Sequence, residues 1–294
     1  MSVKDTGSVK KKAKKETQFR IVMGRLSKNK TAMLGLYIFL AEVFIAIIAP
    51  WIIPYDYAYM DYMNLLSPPS ATHLLGTDAM GRDILSCLLY GTRYSLGIGF
   101  AALLLTAIGG ISLGVVAGYF GGTVDNIIMR CLDVIQAIPS MVLMIAVAAA
   151  LGTGFVNTVL AMSIGGIAGA ARLQRASILN IRNMEYLEAA ESINCSKVRI
   201  ALKHMVPNAF APMLVSFTMG TASTIVSIAG LSFIGLGIQA PEPEWGAMLA
   251  NGRAYMLDYP YLVLFPGLAI MITVFALNIL GDGLRDAMDP KLKD

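Results

Sequence analysis

The sequence predicts an all-α membrane protein with six transmembrane helices, both termini cytoplasmic, and a charged cytoplasmic loop between the fourth and fifth helices. Three observations carry this. Of 294 residues, 56% are hydrophobic and only 14% charged, where a water-soluble domain carries about 25% charged. The apolar residues gather into runs long enough to cross hydrocarbon, which takes about 20 residues. Basic residues, which mark the cytoplasmic side, fall almost wholly on one side of the resulting topology.

Taken in order, residues 1–32 form a basic tail that includes Lys10, Lys11, Lys12, Lys14 and Lys15. Residues 33–53 exceed the short apolar core of a signal peptide and read as a retained first helix containing one acid, Glu42. Residues 54–93 are a polar extracytoplasmic segment. A transmembrane core of five helices spans 94–281. Its second helix is 94–119. The uncharged run 134–171 is 38 residues long and turns at Gly152-Thr153-Gly154, giving a third helix and a short, glycine-rich fourth at 156–171. Residues 172–208 are charged, and 209–238 and 259–281 supply the last two helices. Residues 282–294 are a cytoplasmic tail. This arrangement puts 20 of the 23 basic residues on one side, counting Arg130 at the inner end of the third helix. Five or seven helices would move one tail across and spoil the asymmetry. Trp51 and Trp245 fall near span boundaries, where interfacial tryptophan is common.

Gly110, Gly114, Gly118 and Gly122 repeat at four-residue spacing, as do Gly165 and Gly169. Such rows let helix backbones approach closely in lipid. Gly110 to Gly114 also match the G-x-S-x-G nucleophile pattern, but that pattern needs a strand–turn–helix setting and a histidine partner. Cys87, Cys131 and Cys195 show no metal or disulfide spacing. His73 and His204 fall on opposite sides of the predicted membrane, so they form neither a triad nor a metal site. The net charge of +4 makes no case for nucleic acid.

The segment 172–208 is the most informative. It has no glycine, and its proline, Pro207, comes near the end. Residues 186–193 are good helix formers. Ser196 is placed to cap a second helix through Val198, Ile200, Ala201 and His204, stopped at Pro207. A charged stretch this long is unusual for a mere connection.

Glu188-Ala189-Ala190, then Arg199-Ile200 and His204-Met205-Val206-Pro207-Asn208, resemble the EAA loop of binding-protein-dependent ABC importer permeases. His73 to Asp78, Gly81 to Ser86, Ala117 to Gly122, Asp125, Met129-Arg130, Asp133, Leu231 to Gly237, Trp245-Gly246, Pro266-Gly267 and Gly281 to Asp286 are similar to the dipeptide, oligopeptide and nickel subfamily. The match is to the second of its two permease subunits and covers roughly residues 30–292. The chain departs from that pattern at Asn194, where glycine is usual; asparagine tolerates the left-handed conformation best among the others. It departs also at Ile167 and Ala170, where aromatics are frequent, and at Ile228, the position a few residues before the Leu-Ser-Phe motif where an acid is common.

The resemblance implies a bacterial or archaeal inner-membrane permease for di- or oligopeptides, with nickel or a nickel chelate as the alternative cargo. It implies a heterodimer with a homologous permease, two separate ABC ATPase subunits that bind ATP and magnesium, and an extracytoplasmic substrate-binding protein. This chain has no G-x-x-x-x-G-K-[ST] phosphate loop and is not expected to be an enzyme. The implied ATPase-coupling residues are Glu188, Ala189, Ala190, Asn194, Arg199, Lys203, His204 and Pro207. Intramembrane acids are functional candidates by default, so Glu42 and Asp133 are candidates for the translocation path. Asp133 also has Arg130 three residues away on the same helix face; Glu42 has no local partner in sequence. A stand-alone secondary transporter would share the helices and glycine rows but leaves the Glu-Ala-Ala loop unexplained.

Overall fold

The computed structural model describes residues 18–288. The tail lysines 10–15, Lys291 and Lys293 lie outside the described residues. Within them the chain is helical and has no strand. Its helices are α1 (Gln18–Leu26), α2 (Lys30–Ile52), α3 (Ile84–Phe120), α4 (Gly122–Gln136), α5 (Ser140–Leu151), α6 (Phe155–Ile181), α7 (Glu185–Ser192), α8 (Lys197–Arg199), α9 (Val206–Asn208), α10 (Phe210–Phe233), α11 (Trp245–Gly252) and α12 (Tyr261–Met288). Five of them, α2, α3, α6, α10 and α12, contain stretches long and apolar enough to cross a membrane, and the bent pair α4–α5 makes a sixth. No more than 39% of any single-helix stretch is buried within the chain, so most of this apolar surface is covered by something other than the chain itself.

The α3–α6 pair is the spine, and its contact follows from the glycines of α3. A side chain on Gly110 would overlap Ala170. One on Gly114 would lie 2.5 Å from the Ala171 carbonyl, and one on Gly118 would lie 2.8 Å from Ile178. Three glycines a helical turn apart thus bring one backbone onto another. The second glycine row behaves otherwise. A side chain on Gly165 would meet nothing within 4 Å, and one on Gly169 only the Gln136 amide at 3.9 Å. Among the described residues, no helix backbone lies within 4 Å of where those side chains would stand. Gly122, likewise open, starts α4 with φ +54°.

Several boundaries differ from the sequence reading. Helix α3 begins ten residues earlier, at Ile84, because Asp83 accepts the Ser86 amide and caps it. Its 37 residues extend about 55 Å. The third crossing is not straight: α4 and α5 meet at 85° across Ala137-Ile138-Pro139. Pro139 pushes the preceding residue out of the helical region. Helix α6 runs on to Ile181, so Arg172 and Arg175 stand on a membrane helix rather than in the following loop. Pro207 does not stop its helix. The chain passes from α8 through a π-helical stretch, Ile200–Met205, into α9. The wider turn lets the helical path continue up to a residue with no amide hydrogen to donate.

The long α3 separates two ends of the bundle. At its N-terminal end, Ile84 and Cys87 pack with Trp245, Met248 and Leu262, joined by Tyr57, Leu66 and Leu75 of the 53–83 segment. At its C-terminal end, Val115 and Tyr119 pack with Ile178, Leu187, Ala190, Ile200 and Met205. Helix α1 packs through Val22 and Leu26 on Ala32, Leu280 and Ala287, which brings the start of α2 to the end of α12.

Candidate functional site

The elbow formed by α7, α8 and the π-helical stretch closes the C-terminal end of α3. It is anchored by apolar residues on one face: Leu187, Ala190, Ile200 and Met205 are buried. Asn194 takes φ +57° at the bend, so the left-handed conformation expected there is adopted without glycine. Ser196 accepts the Arg199 amide at 3.4 Å and caps α8 as expected. Lys197 lies over the Phe120 ring, 5.8 Å from its centre.

This anchoring divides the residues implied for coupling. Glu188, Ala189, Asn194, Arg199, Lys203 and Pro207 are exposed, and His204 is half-buried. Ala190 faces inward, where its small size fits α7 onto its own bundle. Glu188, Arg199 and Lys203 make no ion pair among the described residues. Beside them Ile193, Val198 and Leu202 are 77, 68 and 65% exposed. Sequence reasoning passed over these three because their apolar character reads as core. Val198 and Leu202 are four apart, and with Ile193 they give the elbow an apolar outer surface of the kind that marks a docking site.

The two path candidates are both engaged within the chain. Glu42 Oε1 accepts a hydrogen bond from Thr273 Oγ1 of α12 at 2.8 Å, a partner not visible in local sequence, while Oε2 is buried without one. Asp133 meets Arg172 of α6 at 2.5 Å, closer than Arg130 at 3.8 Å. Arg175 grips Asp125 with Nε and Nη2, each at 2.5 Å. Two arginines of α6 therefore hold both ends of α4, one of them in the bidentate geometry that suits guanidinium and carboxylate. A half-open cleft of about 230 Å³ lies instead between α3, α6 and α10, lined by Thr106, Gly169, Ser216, Gly220 and Thr224 among others. A side chain on Gly220 would meet nothing within 4 Å among the described residues.

At the opposite end of α3 a cap joins two segments far apart in sequence. Arg82, 2% exposed, pairs with Asp78 at 2.7 Å and donates to the Pro241 carbonyl at 2.9 Å. Asp83 meets His73 Nδ1 at 3.0 Å and accepts from Ser86 Oγ at 2.7 Å. Trp245 is buried and donates to the Leu88 carbonyl at 3.1 Å, so it is a cap residue and not an interfacial one; Trp51 is 78% exposed. The cap's surface keeps charge: the Asn64 side chain and the Met63 amide hold Asp61 below the usual carboxylate range. Burial pushes the Tyr57 phenol up. His73 sits in this cap and His204 in the elbow. Among the described residues no group of acids, cysteines and histidines is placed to hold a metal.

Residues 110–294 match the family described as binding-protein-dependent transport system inner membrane component, and residues 17–69 match the N-terminal transmembrane domain of oligopeptide transport permease C. The chain belongs to this permease family. It is 42% identical over 275 residues to the dipeptide transport system permease protein DppC of Alkalihalophilus pseudofirmus, covering 94% of this chain and 90% of that one. It is 43% identical over 272 residues to the di/tripeptide permease DppC of Pseudomonas aeruginosa, covering 90% of each. To the glutathione transport system permease protein GsiD of Pectobacterium atrosepticum it is 44% identical over 269 residues, covering 91 and 89%. A chain of the inward-facing MetNI methionine ABC transporter shares the fold, with a TM-score of 0.56 at 16% identity over 70% of this chain and 98% of that one. The family's chains are transport permeases, and this one is a permease subunit of an ABC importer.

The departures from the family pattern have local reasons. Ile228 is buried in an apolar cluster with Ile98, Ala102, Val159 and Ile238, where a carboxylate would lose its hydration. Ala170 abuts Gly110, where even an added methyl would overlap it, and Ile167 faces Gly109, where an added side chain would lie 3.0 Å from Ile167.

Proposed function

We propose that this permease carries di- or oligopeptides, and that its elbow is the site gripped by separate ATPase subunits. The cargo reading rests on relatives named for dipeptides, di/tripeptides and glutathione, each matched over about nine-tenths of both chains. The elbow reading rests on one observation: Glu188, Ala189, Arg199 and Lys203 are exposed, the three charged ones without ion-pair partners among the described residues, beside the uncovered Ile193, Val198 and Leu202. In this reading the elbow and both termini are cytoplasmic, in a bacterial or archaeal cell membrane. Two ATPase subunits hold ATP and magnesium. A homologous permease completes the path, and a substrate-binding protein meets the cap.

The elbow's apolar anchor fits it to transmit motion. Leu187, Ala190, Ile200 and Met205 tie it to α3 and α6, so displacement of the elbow is carried into the spine as a rigid-body movement. On the path side, Glu42 and Asp133 serve as ties between helices. The uncharged cleft of Thr106, Ser216, Gly220 and Thr224 is the better wall for a cargo of variable side chains, because it offers hydroxyls and no fixed charge.

Two measurements test this. Uptake of labelled dipeptide, glutathione and nickel by the reconstituted complex identifies the cargo; uptake of nickel alone would overturn the peptide reading. Glu188→Lys is expected to insert normally yet lower peptide uptake and ATPase co-purification about tenfold or more, the usual scale for a lost interfacial charge contact. Unchanged uptake at unchanged ATPase rate would remove Glu188 from the coupling surface.

A further inference from the structure

The walls of the cleft between α3, α6 and α10 share one depth. Ala102, Gly169 and Gly220 each fall near the midpoint of their own helix, so the cleft opens at the middle of the span. Its glycines are of two kinds. A side chain on Gly166 would lie 2.9 Å from Thr106, so the fold itself requires that glycine. One on Gly169 would approach only the Gln136 amide, at 3.9 Å, and one on Gly220 would meet nothing within 4 Å among the described residues. Glycine destabilises a helix by about 1 kcal/mol relative to alanine, and packing within this chain accounts for neither of these two. What they do is keep the cleft deep.

Its volume, about 230 Å³, is below the range of pockets that enclose a whole small ligand, about 300–1,000 Å³. It suits a part of one. No charged residue lines it, and Leu103, Met162 and Phe217 give it apolar walls. Thr224 Oγ1 donates to the Gly220 carbonyl at 2.9 Å, so that hydroxyl demands no acceptor from a ligand. The nearest charge along α6, Arg172, stands one turn beyond Gly169 and is already paired with Asp133. A charged group brought here would give up its hydration and meet no counter-charge; an uncharged one would not. We infer that the cleft is a subsite for one uncharged side chain of the cargo, and that Gly220 sets how large that side chain can be. The inference rests on the peptide reading above and adds that the permease itself selects among peptides. The shape favours cargo over a helix of the second permease: a neighbouring helix packs along a face, whereas this space is a recess walled by three helices of one chain.

The test is uptake by the reconstituted complex of permeases, ATPases and binding protein, made with the wild-type chain or with Gly220→Leu. The binding protein's own selection is common to both and cancels in the ratio. The cargoes compared are leucyl-leucine, glycylglycine and lysyl-lysine. Leucine at position 220 fills the recess, so uptake of leucyl-leucine should fall about tenfold, the scale on which an apolar pocket discriminates. Gly220→Ala, which asks far less room, should give an intermediate loss and carries the test if leucine prevents insertion. Glycylglycine and lysyl-lysine, which do not use the recess, should lose less than about twofold. An equal loss of all three, or no loss of any, overturns the inference. So does loss of the second permease on co-purification, since the space would then belong to a helix interface. If the wild-type complex takes up none of the three, the peptide reading itself falls and the subsite with it, a result read without any variant.

Discussion

At the residue scale, neighbours in one motif do different jobs. Ala189 and Ala190 look interchangeable in sequence, yet α7 turns one outward and buries the other against the bundle. Ala190→Leu is expected to destabilise the chain by about 1–3 kcal/mol, the usual result of overpacking. Ala189→Leu should leave the melting temperature unchanged and weaken ATPase capture. Thermal melts and co-purification on the two variants separate these outcomes; equal melting behaviour would mean that the elbow is not seated as described. Glu42 offers a second case. Among the described residues its one partner is Thr273, so Thr273→Val strips that hydrogen bond from a carboxyl already carrying an unpartnered oxygen. That should cost about 1–3 kcal/mol, measured by denaturation in detergent, with Thr273→Ser restoring most of it. What made Asn194 legible in advance was backbone chemistry, which is local. Arg130 was legible as a partner of Asp133 three residues away, but Thr273 for Glu42 and Arg172 for Asp133 were hidden because they lie 231 and 39 residues away.

At the element scale, spans were legible where lipid dictates composition and illegible where the backbone bends. Helices α2, α10 and α12 fall close to their expected positions because an apolar run has little alternative. The 85° break before Ser140 was missed although Pro139 signals it, since the flanking residues stay uncharged through the bend. The end of α6 was missed for the opposite reason. Arg172 and Arg175 read as loop, but each has a carboxylate of α4 to meet, which lets the helix carry them. The glycine rows show the same limit: four-residue spacing announces a bare helix face but not what lies against it. Gly114→Leu is expected to break the α3–α6 contact and abolish stable insertion, because the new side chain has the Ala171 carbonyl in its way. Gly165→Ala should leave the isolated chain as stable as before or up to about 1 kcal/mol more so, from helix propensity alone. If Gly165→Ala nevertheless blocks assembly with the second permease, the uncovered row is part of that interface. Expression of each variant alone and with its partner reads both outcomes.

At the scale of the whole molecule, the length of α3 organises everything else. It holds the His73–Asp83 cap at one end and the elbow at the other, about 55 Å apart, farther than the roughly 30 Å hydrocarbon core of a bilayer. The two surfaces therefore cannot face the same compartment if the helix spans. In the proposed reading the elbow, which bears Arg182, Lys197, Arg199 and Lys203, is the inside end, since basic residues stay inside. Cysteine labelling tests this end to end. Cys195 sits half-exposed in the elbow, Cys131 is exposed on α4, and Cys87 is buried. In a Cys131→Ser chain, a membrane-impermeant maleimide should leave Cys195 unmodified in intact cells and label it in inverted vesicles. A cysteine introduced by Asp61→Cys in the cap, with Cys195→Ser, should show the reverse. Labelling of Cys195 from outside the cell would place the elbow where no cytoplasmic ATPase reaches it, and the coupling role would fall even though the family and the fold stood.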